Sequence, residues 1–77
     1  MPTFFFDIKG NDSSFVDTDG TQYAGPGEAQ ADAVRMLLAL AQDEARETWQ
    51  NKLSVVVSDE NRQPLMEANI DCRVTVF

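Results

Sequence analysis

Met66-Glu67-Ala68-Asn69-Ile70-Asp71-Cys72-Arg73-Val74-Thr75-Val76 alternates strictly between apolar and polar side chains. A period of two puts successive side chains on opposite faces of an extended chain. The stretch therefore reads as one long strand with Met66, Ala68, Ile70, Cys72, Val74 and Val76 on a buried face. Upstream, Leu53, Val55 and Val57 repeat the pattern with Val56 on the other face, so residues 53–58 form the preceding strand. Asp59-Glu60-Asn61-Arg62-Gln63-Pro64 supplies the turn between them, and Pro64 suits a strand entry where no ladder donor is needed. Counting back from that turn sets Ser58 near Pro64 and Leu53 near Asn69. Residues 71–77 then outrun their hairpin partner and need another strand. Residues 3–9 of the same chain are the first candidate, and the edge of a second subunit is the other.

The opening Thr3-Phe4-Phe5-Phe6-Asp7-Ile8-Lys9 is a strand with Phe4, Phe6 and Ile8 on one face and Phe5 and Asp7 on the other. Gly10-Asn11-Asp12-Ser13 ends it, a short return strand carries Phe15 and Val16, and Asp17-Thr18-Asp19-Gly20 turns again, with residues 21–24 adding some extended chain. Gly25-Pro26-Gly27-Glu28 reads as a helix start, with Gly25 as N-cap, Pro26 at the first helical position and Glu28 against the positive helix end. The helix is expected to run to about residue 50, where Asn51 can adopt the left-handed conformation that stops it. Ala33, Val34, Leu37, Leu40, Ala41, Ala45 and Thr48 form its packing face. Asp32 with Arg35, and Asp43 with Arg46, are spaced to meet on the outer side. The order β-β-α-β-β implies an α+β single domain over residues 1–77, a mainly antiparallel sheet of about four strands with one long helix on one face.

At 77 residues the core is small, and the sole cysteine, Cys72, rules out an intramolecular disulfide. The absence of histidine argues against a structural zinc, leaving packing or oligomerisation as the source of extra stability. No stretch resembles a signal peptide or membrane span, so a cytoplasmic, reducing setting without membrane contact is expected. Six basic against thirteen acidic residues give a net charge of −7, and Lys9, Arg35, Arg46, Lys52, Arg62 and Arg73 stand singly. A chain so charged is repelled by phosphate, and no nucleic-acid partner is expected.

The residues with chemical potential read as structural. Aligning Asp17-Thr18-Asp19-Gly20 with a calcium loop puts Phe15 and Pro26 at obligatory ligand positions, so it reads as a turn, and no metal or cofactor is expected. Asp7, Asp17, Asp19, Asp59 and Glu60 would need desolvation or a like-charge neighbour to act as acid and base, and read as solvated carboxylates. Ser13 and Ser14 have no histidine to serve as base, and Cys72 reads as a packing cysteine within the buried alternation. No catalytic residues are assigned, and the chain is expected to be no enzyme. Trp49 at the helix end closes the core or anchors an interface. Phe5, Val56 and Phe77 fall on the sheet face away from the helix, an apolar surface that is either a contact site or shielded by Lys and Arg stems. Together with Asp71, Arg73 and Thr75 on the overhanging strand, these residues make up the expected interface.

The opening Met-x-x-Phe-Phe-Phe-Asp-Ile, the Asp17 to Gly20 turn, the alanine-rich helix from Ala29 to Ala45, and Val55-Val56-Val57-Ser58-Asp59-Glu60 with its extended tail resemble a family of short bacterial proteins known only as a domain of unknown function. Two features depart from that pattern: Gly25-Pro26-Gly27 before the helix, and a turn at residues 59–64 without glycine. The resemblance implies no activity and carries over no catalytic residues. More distantly, paired aromatics on a leading strand, an Asp-Gly turn and an alanine-rich helix are similar to the core of HicB-type antitoxins, which implies a regulatory module with a basic protein partner. The primary expectation is a non-enzymatic interaction module that forms a homodimer through its long last strand or open sheet face.

Overall fold

The computed structural model of the chain describes residues 1–10, 14–44 and 51–77. Its elements are β1 (Thr3–Lys9), β2 (Ser14–Phe15), β3 (Thr21–Gln22), α1 (Pro26–Glu44), β4 (Asn51–Ser58) and β5 (Pro64–Cys72). Among the described residues they form one antiparallel five-stranded sheet in the order β2-β1-β4-β5, with β3 pairing further along β1. The class is α+β as expected. The extra strand comes from Thr21 and Gln22, which pair with Phe4 and Thr3.

One face of the sheet carries the core. Phe4, Phe6, Leu53, Val55 and Val57 are buried there, with Ile8, Met66, Ala68 and Ile70 packed around them. The pairs Phe6↔Val57 and Ile8↔Val55 in β1–β4, and Val57↔Met66, Val55↔Ala68 and Leu53↔Ile70 in β4–β5, line up these apolar side chains in rows across the sheet. α1 lies across this face through Ala29, Ala33 and Leu37, all buried at i, i+4, i+8 spacing, flanked by Met36, Leu40 and Ala41. The alanines have no side chain beyond Cβ to hold the helix off the sheet. Pro26 opens the helix as read, and the Gly25 carbonyl accepts from the Ala29 N–H at 3.4 Å.

The expected helix face needs one correction. Val34 is 42% exposed, because a residue lies about 100° round the axis from its neighbour and the packing stripe is centred on Ala33 and Leu37. Arg35 meets Asp32 at 2.7 Å, as the spacing implies. Ala45, Arg46, Thr48, Trp49 and the helix end near residue 50 lie outside the described residues. Asn51 does not stop the helix: it is the first residue of β4 and pairs with Cys72.

The β4–β5 hairpin is tied by Asp59. Its Oδ1 accepts the N–H groups of Asn61 at 2.8 Å and Gln63 at 3.0 Å, and its carbonyl accepts the Arg62 N–H. Arg62 takes the left-handed conformation, φ 64°, that a glycine would otherwise fill in this turn. Ser58 pairs with Pro64 as the count from the turn requires. A register shift between Val57 and Ser58 then moves Leu53 opposite Ile70 rather than Asn69.

The overhang does not find its partner in β1. β1 pairs with the opposite side of β4 and never meets β5, while Asp71 and Cys72 pair with Lys52 and Asn51. Residues 73–77 carry no strand assignment. The buried face of the alternation ends at Ile70. Cys72 is exposed rather than packed, because its row lies past Leu53↔Ile70, the last row of the core. Val74 and Val76 are exposed for the same reason, Val76 by 79%.

Candidate interaction surface

The sheet face away from α1 carries Phe5, Asp7 and Val56, and beside it the outer edge of β1 is organised by Asp17. β2 pairs with Ile8 and Lys9, and β3 with Thr3 and Phe4, so among the described residues the edge of β1 has no strand partner between them. The Asp17 carboxylate fills that gap: its Oδ2 accepts the Phe6 N–H at 3.1 Å, and its Oδ1 accepts those of Gly20 at 3.0 Å and Asp19 at 3.2 Å. Gly20 is required there, since its φ is +75° and a Cβ would lie 2.6 Å from Thr3 Cγ2. Partial burial raises the Asp17 pKa, but the N–H groups of Gly20, Phe6 and Asp19 and the charge of Arg62 together bring it below the ordinary carboxylate value.

Arg62 binds this cluster together from the hairpin turn. Its Nη2 donates to the Asp17 carbonyl at 2.7 Å, its Nη1 lies 3.8 Å from Asp7 Oδ1, and the guanidinium stands 3.8 Å above the centre of the Phe5 ring. Asp7 Oδ1 also accepts the Asp17 N–H at 3.0 Å, and Glu60 Oε1 accepts the Thr3 N–H at 2.9 Å. Asp7, Asp17, Asp59 and Glu60 thus each bind main-chain N–H groups and hold turns to strands. Phe5 is shielded by an arginine, which reduces the apolar area of the open face. On the core side, the Tyr23 hydroxyl donates to Asp32 Oδ2 at 2.8 Å, and its ring meets Phe4 and Phe6 edge-on. Burial and the Asp32 carboxylate push the Tyr23 pKa up to about 12.

Asp71, expected at an interface, lies on the far edge of the sheet, and Arg73, Thr75 and Phe77 follow it in the chain. The backbone groups that this edge presents follow from the ladder. The Phe6 N–H points away from β4, toward Asp17, so Phe6↔Val57 is a pair without mutual hydrogen bonds, and the N–H groups of Val57, Val55 and Leu53 point toward β5. Met66, Ala68 and Ile70 therefore bond inward. Glu67, Asn69 and Asp71 present their N–H and C=O groups outward, where no strand pairs among the described residues. Their side chains lie on the face away from α1, as do those of Asp7 and Val56. Asp71 holds Arg73 by three contacts, Nη2 to Oδ2 at 2.8 Å and Nε to the two carboxylate oxygens at 3.2 and 3.3 Å. The Arg73 hydrogen bond keeps the Asp71 carboxyl below its usual range. Thr75 and Phe77 are exposed.

The expected interface residues therefore divide in two. Phe5 and Val56 sit on neighbouring central strands, while Asp71, Arg73, Thr75 and Phe77 follow one edge and its continuation; Trp49 lies outside the described residues. A cavity of about 370 Å³ opens near the Asn51 end of β4, lined by Lys9, Lys52, Ser54, Asn69 and Asp71 among others. The sequence does not disclose the Asp17 plug or the Arg62 cover on Phe5, because both join residues far apart in the chain. The local sign was the Asp-x-Asp-Gly turn itself, which marks a carboxylate that caps nearby N–H groups.

The chain belongs to the family described as Domain of unknown function (DUF6894), which it matches over residues 3–71. The match takes in β1 to the outward-facing Asp71 and stops short of residues 73–77. Neither the curated proteins nor the solved structures gave a match.

Proposed function

We propose that this chain is a non-enzymatic cytoplasmic interaction module that joins a second copy of itself through the outer edge of β5. The observation that carries the reading is that edge: Glu67, Asn69 and Asp71 offer outward N–H and C=O groups, and an exposed apolar alternation, Val74 and Val76, continues the same line of chain. An open strand edge is a template for pairing with another strand, and natural sheets usually blunt it. The net charge of −7 on each copy disfavours association at long range, and Arg73, just past Asp71 on the same line of chain, offsets part of that repulsion where the copies would meet. A sheet continued across two copies also supplies the additional burial that a 77-residue chain needs.

Asn69→Pro tests it. The substitution removes an N–H that points outward and is not used in the β4–β5 ladder, so the hairpin is retained while the edge loses a donor. The variant is expected to keep its far-ultraviolet circular dichroism and to associate about tenfold more weakly than the parent in sedimentation equilibrium. Unchanged association in a folded variant would overturn the use of this edge.

A further inference from the structure

Resting on the edge reading above, we infer that two copies pair β5 antiparallel about a two-fold axis through Cys72, so that Asp71 of each faces Arg73 of the other. The outward backbone groups belong to odd-numbered residues, so hydrogen-bonded pairs across the new ladder must be odd with odd. That condition leaves few symmetric registers. Centring on Asn69 sets Glu67 opposite Asp71 twice, and centring on Asp71 sets that carboxylate against its own copy. Directly opposed like charges disfavour both. Centring on Ile70 sets Glu67 against Arg73 but brings Thr75 opposite Leu65, where the β5 register shifts.

Centring on Cys72 meets every requirement. On the face away from the helix, Asp71 pairs with Arg73 of the second copy, Asn69 with Thr75 and Glu67 with Phe77. On the helix side, Cys72 faces Cys72, Ile70 faces Val74 and Ala68 faces Val76. The apolar alternation that outlasts the intrachain sheet thus gains apolar partners, and exposed Val74 and Val76 extend the rows begun by Ile70 and Ala68. Asp71 and Arg73 already meet on one edge in the single chain, so the pairing assembles two such pairs into a square of alternating charge. Residues 73–77 become strand in this pairing, and both helices lie on the same side of a continuous sheet.

The test uses two charge reversals that are repulsive apart and complementary together. Asp71→Arg leaves only arginines at the contact and Arg73→Asp leaves only aspartates. Each variant alone is expected to self-associate at least about tenfold more weakly than the parent, with both cross-strand pairs turned repulsive. An equimolar mixture is expected to regain the parent's association as a heterodimer. In it the introduced arginine of one copy faces the introduced aspartate of the other, and the retained Arg73 faces the retained Asp71. The intrachain pair is lost in both variants and is not restored by mixing, so recovery reports the contact between copies. Circular dichroism of each variant confirms folding. A mixture as weak as the single variants, with the parent dimeric, would overturn this register while leaving the β5 edge in use. A parent chain that is monomeric would overturn the edge reading itself.

Discussion

Replacing Asp17 by Ala is expected to lower the free energy of unfolding by about 3 kcal/mol, seen as an earlier midpoint in urea denaturation. One carboxylate satisfies three main-chain N–H groups, those of Phe6, Asp19 and Gly20. A hydrogen bond to a charged group contributes about 1.5–3 kcal/mol. The Phe6 bond accounts for most of the effect, since its N–H lies in the gap between β2 and β3, whereas Asp19 is exposed and can bind water. The same group sets an acid limb. The Asp17 pKa is lowered from the ordinary 3.8, against partial burial, by the Gly20, Phe6 and Asp19 N–H groups and by Arg62. The unfolded chain therefore binds more protons than the folded chain between the two pKa values. The contribution is fully present above the unfolded value and lost as pH falls through the folded one. Asp17→Asn, which cannot ionise, is expected to flatten the fall in stability below about pH 4. An acid limb identical to that of the parent would contradict this role.

Phe6→Ala is expected to cost about 4 kcal/mol, near the total stability of a chain of this length, and to leave much of the protein unfolded at 25 °C by circular dichroism. Phe6 is 3% exposed, sits in the row of Val57 and Met66, and meets the Tyr23 ring at 5.8 Å. Removing it leaves a cavity that a sheet fixed on both sides cannot close. The neighbouring Phe5→Ala removes the ring beneath Arg62 on the opposite face, where the cost is about 1 kcal/mol. Similar losses for the two phenylalanines would contradict the division of the sheet into a core face and an open face.

Much of this fold follows from local rules. The alternation at Phe4, Phe6 and Ile8, the Gly25-Pro26 helix start and the hairpin entry at Pro64 need only neighbouring residues to be recognised, and each stands where local chemistry places it. The register did not, because the shift beside Ser58 inserts Leu65 and moves Leu53 from Asn69 to Ile70. The end of β5 misled for a different reason. Alternation identifies an apolar face without saying what covers it, so Cys72, Val74 and Val76 read as buried although the core stops at Ile70. The surface was legible in its residues but not in its division: Phe5 lies under Arg62, which is distant in sequence, while Asp71 and Arg73 pair locally. Membership of DUF6894 accords with the family resemblance of the opening strand, the Asp-x-Asp-Gly turn and the alanine-rich helix.

Sedimentation equilibrium of the unmodified chain across the micromolar range tests the β5 edge most directly. A concentration-dependent rise from the 8.6 kDa chain mass to twice that value is expected, with no larger species, since a two-fold pairing consumes the open edge of both copies. A mass that stays at 8.6 kDa at high micromolar concentration would contradict it.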